Sequence, residues 1–309
     1  MNEAWERVRA EVRRVVVGQD ETVDLLLAAA AVGGHVLLEG VPGVAKTLTV
    51  NALARSLGLS FRRIQFTPDM LPSDVTGTMT LRGGELAFRP GPVFASVLLA
   101  DEINRTPPKT QAALLEAMQE QQVTVDGVSH PLPDPFLVAA TQNPIEYEGT
   151  YPLPEAQLDR FLFRIVIGYP TSEDELTILA LPHRGVRPGT LAEVQPVATP
   201  QLIADAGRAI DRTVVSAELL AYVAALVRAT RELPSVELGA SPRAGVQLVA
   251  ASRAGARLAG REFVTPDDVA AMAEPVLAHR LVLRPEAELD RFTPADAVRA
   301  AIATVPVPR

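Results

Sequence analysis

The amino-acid sequence predicts an α/β fold in which a mostly parallel sheet flanked by helices is followed by a small helical domain. Strand-like apolar runs alternate with helical stretches over the first half of the chain, a pattern typical of a parallel sheet covered by helices. After Tyr169 and Pro170 the strand-like runs stop and helix-start signals take over. We therefore expect an α/β domain over residues 1–170 and an all-α domain over residues 171–309.

The sheet is predicted from a set of apolar runs, and two further segments carry the turn chemistry of hairpins. A Gly-Gly dipeptide lies in the first hairpin segment, residues 78–89, and an Asp-Gly dipeptide lies in the second, residues 123–132. Such dipeptides favour the tight turns that join antiparallel strands, so both segments are expected to project from the sheet as insertions. The runs predicted to form the sheet are 35–39, 61–66, 97–100, 136–141 and 162–167.

The helical domain is predicted from hydroxyl residues placed where they can cap a helix. Thr199, Thr265 and Thr293 each precede a proline, which is favoured at the first helical position. Ser172, with Glu175 three residues later, has the spacing of a capping box. Helices are therefore expected to begin at each of these four positions.

Composition and charge weigh against several classes of protein. Of the 309 residues, 48% are hydrophobic and 21% are charged, as in ordinary globular proteins. The formal net charge of -8 argues against a large basic surface, which favours protein partners over nucleic acid. The apolar run 25–34 is too short to cross a bilayer, and no cleavage pattern follows the N-terminus, so a cytoplasmic protein without a membrane segment is expected. The absence of cysteine excludes disulfides and thiolate metal sites.

Residues 40–47 read GVPGVAKT and lie between a predicted strand and a predicted helix, which is the context of a phosphate-binding P-loop. Lys46 would reach the β- and γ-phosphates of ATP, and Thr47 would hold Mg²⁺. Ala45 stands where the usual pattern has glycine, and we expect the loop to tolerate the added methyl group if this position is helical. The candidate phosphate-binding residues are Gly40, Val41, Pro42, Gly43, Val44, Ala45, Lys46, Thr47 and Leu48.

Two other predicted strands end in polar residues. The run 97–100 is followed by Asp101 and Glu102, of which Asp101 would bind Mg²⁺, directly or through water, and Glu102 would polarise the attacking water. The run 136–141 is followed after one residue by Asn143, whose amide would hold the lytic water or the γ-phosphate. These residue types predict phosphoryl-transfer chemistry beside the P-loop.

Over nearly the whole chain the motifs resemble those of AAA+ ATPases, and their wording resembles the MoxR family. The motifs are VGQ at 17–19, GVPGVAKT at 40–47, LLADEINR at 98–105, AATQNP at 139–144, LPEAQLDRF at 153–161 and SPR at 241–243. The resemblance implies that Val17, Gly18 and Gln19 lie by the adenine, that Lys46 belongs to Walker A, Asp101 and Glu102 to Walker B, and Asn143 to sensor 1, that Arg160 is an arginine finger and that Arg243 is sensor 2.

The sequence positions of Arg160 and Arg243 indicate where these two side chains lie. Arg160 comes just before the last predicted strand, which places it on the rim of the α/β domain and beyond reach of its own γ-phosphate. Arg164, four residues later, remains an alternative finger. Ser241 as an N-cap and Pro242 in the first turn put Arg243 at a helix start, with its guanidinium free to reach phosphate.

The resemblance also implies a function: Mg²⁺-dependent hydrolysis of ATP to ADP and phosphate by a homo-oligomeric ring of about six subunits. In the family this activity is chaperone-like, and is linked with von Willebrand factor A domain proteins and with maturation or metal and cofactor loading of protein clients. One alternative is a nucleotide-gated adaptor that hydrolyses ATP slowly, and another is a DNA-remodelling or chelatase-type ATPase. Paired hairpins are typical of the branch that includes magnesium chelatases and replicative helicases, but residues 121–131 contain no Lys or Arg to grip a phosphate backbone.

Overall fold

The computed structural model describes residues 2–143, 149–181 and 190–308. The elements of the first half are α1 (Asn2–Arg13), α2 (Asp20–Val32), β1 (Val36–Gly40), α3 (Lys46–Ser56), β2 (Phe61–Gln65), α4 (Pro72–Thr76), β3 (Gly77–Arg82), β4 (Glu85–Pro90), β5 (Val97–Asp101), α5 (Pro108–Glu120), β6 (Gln122–Val125), β7 (Val128–Pro131), β8 (Leu137–Gln142), α6 (Glu155–Leu158) and β9 (Phe163–Ile167). Those of the second half are α7 (Ser172–Ala180), α8 (Pro200–Asp211), α9 (Ala217–Glu232), β10 (Val236–Leu238), α10 (Pro242–Leu258), α11 (Pro266–Leu277), β11 (Val282–Leu283), α12 (Pro285–Leu289) and α13 (Pro294–Thr304).

The central sheet has five parallel strands in the spatial order β2-β5-β8-β1-β9, which confirms the predicted parallel sheet. Strands β1 and β5 are buried along their whole length, which explains why they read as continuous apolar runs rather than as alternating ones. Leu38 and Leu99 pack on the face covered by α2 and α3, whereas Leu37 and Leu98 pack on the face covered by α4 and α5. Both faces of the sheet are therefore apolar.

Two antiparallel hairpins leave the sheet in the segments where the sequence has its Gly-Gly and Asp-Gly dipeptides. Strands β3 and β4 form the first, and β6 and β7 form the second. In the second turn Asp126 and Gly127 have φ of 48° and 79°, the positive pair that a type I′ turn requires. The rings of Phe88 and His130 stack with centroids 4.0 Å apart, so the two hairpins contact each other.

Hydroxyl side chains cap the helices of the second half. The Oγ1 atoms of Thr265 and Thr293 accept backbone N–H groups at the starts of α11 and α13, as the sequence predicts. The predicted cap at Ser172 is wrong, because Thr171 caps α7 and its Oγ1 accepts the N–H of Asp174 at 3.2 Å. Both hydroxyl residues have an acidic residue three positions later, so their spacing alone does not distinguish the two caps.

A short β-ladder interrupts the helices of the second half. Strands β10 and β11 pair antiparallel, with Val236 opposite Leu283. Helices alone were expected over residues 171–309, because strands of three and two residues are too short to produce a recognisable alternation. The helical character of this half is confirmed, with the ladder as an addition.

One apolar core joins the two halves of the chain. It contains Trp5 of α1, Leu38 of β1, Leu226 of α9 and Leu277 of α11, all of them buried. Because this core is continuous, the domain boundary at residue 170 remains a prediction. Among the described residues, no helix combines the length and the apolar character needed to cross a membrane.

His35, which immediately precedes β1, is buried and hydrogen-bonded through both ring nitrogens. Its Nδ1 accepts the N–H of Val138 at 3.1 Å, so Nε2 carries the proton and donates to the carbonyl oxygen of Met118 at 3.1 Å. Burial lowers the pKa of His35 from 6.5 to about 4, because the interior disfavours the charged ring. The neutral imidazole therefore ties the start of β1 to β8 and α5.

We expect His35→Gln to flatten the loss of stability on acidification. Between pH 6.5 and about pH 4 the unfolded chain binds a proton at His35 that the folded chain does not, so the free energy of unfolding falls as the pH drops. This contribution amounts to about 2 kcal/mol at pH 5 in the wild-type protein. Urea unfolding of both proteins between neutral pH and pH 5 measures it. If the free energy of unfolding fell equally in the two proteins, the lowered pKa of His35 would not be the source of this pH dependence.

Candidate active site

The site lies at the edge of the sheet where the carboxyl ends of β1, β5 and β8 meet. These strands are parallel and adjacent to one another through β8, so the segments that follow them converge at this edge. The chain leaves β1 into the P-loop, β5 into Glu102 and β8 into Asn143. The three polar motifs that are far apart in the sequence thus come together through strand topology.

The P-loop joins β1 directly to α3, which begins at Lys46. Gly43 has φ of 91°, a conformation that favours glycine. Ala45 also has a positive φ, 60°, and so lies in the left-handed region, which does not meet the condition of a helical position under which the added methyl group was expected to be tolerated. For a residue with a Cβ this conformation costs about 1–2 kcal/mol, which explains why the usual P-loop pattern has glycine at this position. The Nζ of Lys46 donates to the carbonyl oxygen of Gly40 at 2.5 Å.

A cavity of about 540 Å³ opens above this loop, within the size range of small-molecule sites. Its lining includes most of the residues that the sequence analysis selected: Val17, Gln19, Pro42, Gly43, Val44, Ala45, Lys46, Thr47, Leu48, Asp101, Glu102 and Asn143. Six further residues that were not selected complete the wall: Val15, Val16, Thr141, Pro170, Ile178 and Leu181. Most of these are apolar, and they supply the kind of surface that would contact a flat ring.

Three of the selected residues shape the cavity without lining it. Gly40 is the last residue of β1, and Val41 follows it. A Cβ at Gly40 would lie 2.5 Å from the carbonyl oxygen of Ile167 in β9. Gly18 has φ of 73°, and a Cβ there would lie 2.7 Å from Oδ2 of Asp174 in α7. Both glycines therefore allow close approach of neighbouring elements.

Asp101 is buried at the end of β5 and held on both carboxylate oxygens. Its Oδ1 accepts the hydroxyl of Thr141 at 2.5 Å, and its Oδ2 accepts two N–H groups of Arg63 at 2.7 and 3.0 Å. Arg63 lies on β2, beside β5, and the sequence analysis did not select it. Its only sequence signal is the alternation of polar residues along β2, which gains meaning once β2 is known to pair with β5.

Glu102 is held in a left-handed conformation, with φ of 57°. Its backbone N–H donates to Thr141 Oγ1 at 2.9 Å, and its Oε2 accepts the amide of Gln65 at 2.6 Å. Arg105 Nε lies 3.1 Å from the same Oε2. A strained backbone at a polar residue is a common feature of functional sites. Here it is accompanied by a side chain anchored on two partners.

The donor set at the cavity suits a nucleotide with a hard divalent cation. Thr47 contributes a hydroxyl and Asp101 a carboxylate, and Oδ1 of Asp101 retains a lone pair beyond its bond to Thr141. The described ranges contain no group of three or more His, Cys, Asp or Glu residues able to hold a metal ion by themselves. Mg²⁺ commonly takes one or two carboxylates together with substrate phosphates, so this sparse set fits Mg²⁺ bound with ATP.

Arg160 and Arg243 do not line this cavity. They share a second one, of about 240 Å³, which is bordered by His35 and by Gln247 of α10. Arg243 is the second residue of α10, after the predicted cap Ser241, and its Nε lies 3.8 Å from Oδ2 of Asp159. Arg243 therefore does not line the cavity that the other motifs share, and its contact with phosphate stays a prediction.

Arg164, the alternative finger, is engaged inside its own domain. Its Nη2 donates to Oε2 of the buried Glu39 at 2.5 Å, and Glu39 also accepts the side-chain amide of Gln142. This pairing links β9, β1 and β8 just below the P-loop. In contrast, Arg160 makes no ion pair with any described residue. The geometry therefore favours Arg160 over Arg164 as the arginine available to another molecule.

Comparison with known proteins gives a consistent assignment. Residues 35–163 match the family described as "ATPase family associated with various cellular activities (AAA)", and residues 228–301 match the "AAA lid domain". A crystal structure of a candidate ATPase from Cytophaga hutchinsonii superposes with a TM-score of 0.92 at 41% identity, covering 100% of this chain and 96% of that one.

Curated relatives are similar along nearly their whole lengths. The chain is 47% identical to "Chaperone MoxR1" of Mycobacterium tuberculosis, over 98% of this chain and 82% of that protein. It is 36% identical to "Protein MoxR" of Paracoccus denitrificans, over 97% and 95%. It is also 48% identical to the Bacillus subtilis protein YeaC, over 96% and 92%. This chain belongs to the MoxR family of AAA+ ATPases.

Proposed function

We propose that this protein binds ATP with Mg²⁺, hydrolyses it to ADP and phosphate, and uses the conformational change to remodel protein clients. One observation carries the proposal: Lys46, Thr47, Asp101, Glu102 and Asn143 all line one cavity. A phosphate-binding loop, oxygen ligands for a cation, a carboxylate base and an amide are the parts that hydrolysis of a nucleoside triphosphate needs.

In this proposal each residue acts on a different part of the substrate. The ammonium of Lys46 and the N–H groups of the loop bind phosphate oxygens, while Thr47 and Asp101 hold Mg²⁺. Mg²⁺, when bound, neutralises phosphate charge. The carboxylate of Glu102 orients the attacking water and accepts its proton as the water oxygen bonds to the γ-phosphorus and the bond to ADP breaks. Asn143 orients the same water or the γ-phosphate.

A nucleotide-gated adaptor with slow hydrolysis is the second candidate, and a specific observation favours it. The Glu102 carboxylate is bound by Gln65 and lies beside Arg105, so it must change partners before it can act on water. Turnover measured with and without an unfolded model client such as casein separates the two candidates. Stimulation supports a motor, whereas tight nucleotide binding with slow, unstimulated turnover supports the adaptor.

The proposal extends to partners and location by resemblance. We infer a hexameric homo-oligomeric ring in the cytoplasm that acts on protein clients, with von Willebrand factor A domain proteins as helpers in metal or cofactor loading. A relative named as a chaperone supports protein clients. The net charge of -8 supports them over nucleic acid, and salt-dependent DNA binding would instead favour a DNA-remodelling ATPase.

We expect Lys46→Ala to abolish ATP binding, because it removes the ammonium that the loop directs toward the β- and γ-phosphates. The matched control is Lys109→Ala, since Lys109 is exposed on α5 and is the other lysine of the chain. Titration with a fluorescent ATP analogue measures both variants. Retained tight binding by Lys46→Ala would sink the P-loop assignment.

Glu102→Gln is expected to bind ATP normally but to lose most of its hydrolysis, at least about 100-fold, because an amide cannot accept the proton of the water. Glu116→Gln, on the exposed face of α5, is the matched control and should hydrolyse ATP at the wild-type rate. Phosphate release under saturating ATP measures the difference. Equal turnover in both variants would remove Glu102 from its role as base.

We expect Arg160→Ala to keep ATP binding and lose about 10³-fold or more in hydrolysis, as for other arginine fingers. If Arg160 acts on the next subunit, mixing this variant with Glu102→Gln should restore activity, because the second variant donates its Arg160 to the intact Glu102 site of the first. The control replaces Glu102→Gln with the double variant Glu102→Gln/Arg160→Ala, which has no finger to donate. Equal activity in both mixtures, with mixed assemblies verified by mass, would rule out action on a neighbour.

A further inference from the structure

Helix α7 presents an unusual surface. None of its nine side chains is buried, although it carries Leu176 and Leu179, which are 69% and 81% exposed. These two leucines are three positions apart and so lie on one side of the helix. Glu173 and Glu175 flank them, and neither carboxylate is ion-paired with any described residue. The result is an apolar stripe with acidic borders, which the described residues of the chain leave uncovered.

The opposite side of α7 is directed toward its own chain. Ile178 lines the nucleotide cavity, and Oδ2 of Asp174 lies close to Gly18. Ile178 and Asp174 are four positions apart and therefore share a face. This fixes the orientation of α7, so that Leu176 and Leu179 point away from the molecule beside the nucleotide cavity.

A groove of complementary character lies between α9 and α10. Its volume is about 370 Å³, and Leu220 and Val246 border it, the latter 70% exposed. Arg228 and Arg231 also line it, and the lining contains no carboxylate. Arg228 makes no ion pair with any described residue. An amphipathic helix with acidic flanks is the kind of partner that such a groove accepts.

The leucine face of α7 belongs to a helix beside the nucleotide cavity, and the α9–α10 groove shares a helix with the cavity of Arg160. In the proposed function these two cavities, from different copies, form one active site. Val246 is three residues from Arg243 on α10, and Arg243 shares its cavity with Arg160. Helix α7 adjoins the nucleotide cavity through Ile178. Because α10 carries both Arg243 and one wall of the groove, a contact that brings Arg160 of one copy to the nucleotide of another would also bring α10 near α7.

We propose that the leucine face of α7 packs into the α9–α10 groove of the adjacent copy of this chain, forming a head-to-tail contact of the ring. The surfaces differ on the two sides of such a contact, and heterologous contacts close into rings when the rotation permits. The inference rests on the proposed function for the nucleotide-dependent assembly of copies. The proposed contact names the surfaces that hold the copies together. It also couples these surfaces to the nucleotide, because one face of α7 packs on the adjacent copy and the opposite face lines the nucleotide cavity.

Cysteine cross-linking tests the contact, since the chain has no cysteine of its own. Equal amounts of Leu179→Cys and Val246→Cys proteins are mixed with Mg²⁺ and a non-hydrolysable ATP analogue and then oxidised. A disulfide between the two proteins requires Cα atoms within about 7 Å, and it can form only between copies. We expect several-fold more covalent dimer in the mixture than in either protein alone. Leu289→Cys, at another highly exposed leucine, replaces Leu179→Cys in the control mixture.

Charge reversal supplies an independent measurement. Arg228→Glu should raise the protein concentration needed for half-assembly about tenfold, because it faces acidic residues across the contact. Adding Glu175→Arg to the same chain should restore assembly. Arg212→Glu, at an exposed arginine outside the groove, should assemble as the wild type does. Light scattering with the ATP analogue follows all four proteins.

The outcomes separate this inference from the proposed function. If the wild type binds the analogue and assembles, but the cross-link does not exceed its control and the charge pair shows no rescue, α7 does not occupy the groove and the proposed function stands. If the wild type binds the analogue and stays monomeric, the ring and the docking contact are both overturned. Failure of the wild type to bind nucleotide would overturn the proposed function itself.

Discussion

Parallel pairing of β5, β8 and β1 is the constraint on which the rest of the site depends. Residues that are neighbours across these strands stay in register, with Leu99 opposite Ala139 and Leu38 opposite Thr141. A shift by one residue would turn each side chain to the other face of the sheet. Asp101 would then lose both its contact with Thr141 and its place in the cavity. Burial of these strands on both faces makes such a shift costly, so the apolar core also determines the position of the polar groups.

The two acidic residues at this edge are held by partners, although only Asp101 is buried and Glu102 keeps part of its side chain in water. Arg63 and Thr141 satisfy Asp101, while Gln65 and Arg105 bind Glu102. Removing a partner from a buried charge is costly, so these contacts stabilise the empty site and also restrain it. In the proposed function Glu102 must exchange these partners before it can act on water. Motion of β2 relative to β5 would therefore change the contacts that Arg63 and Gln65 of β2 make with the two carboxylates.

A buried arginine ties the helical half to the sheet. Arg280, just after α11, is almost fully buried, and its Nε donates to Oδ1 of Asp159 at 2.7 Å. Its other N–H groups bind backbone oxygens, including that of Phe161 at 2.6 Å, and the side-chain oxygen of Gln247 in α10. Asp159 is adjacent to Arg160, and Arg243 lies near the same carboxylate. The segment that carries Asp159 and Arg160 is thereby joined to α10 through one guanidinium, and displacement of one would be transmitted to the other.

The sequence by itself determined the elements that local chemistry governs. Buried strands require continuous apolar runs, the P-loop requires small residues before Lys46, and a tight hairpin requires a dipeptide such as Asp126-Gly127, so these features are visible in short windows. The resemblance to the MoxR family could be recognised for the same reason, because it rests on short sequence motifs. Only the tertiary structure decided the partners that meet across long sequence separations. It paired Arg63 with Asp101 and placed Arg243 beside Arg160 in a second cavity.

The differences between expectation and structure have the same origin. The left-handed backbone at Ala45 lies where the loop turns from β1 into α3 within a few residues, and residue identity alone left the conformation at this position open. The ladder of β10 and β11 is too short to show a period, and it joins two segments that are distant in the sequence. The apolar wall supplied by Ile178 exists only because α7 folds back beside the P-loop. Local patterns specify which residues can do chemistry, whereas chain topology decides which of them meet, because contact depends on the packing of elements that no short window contains.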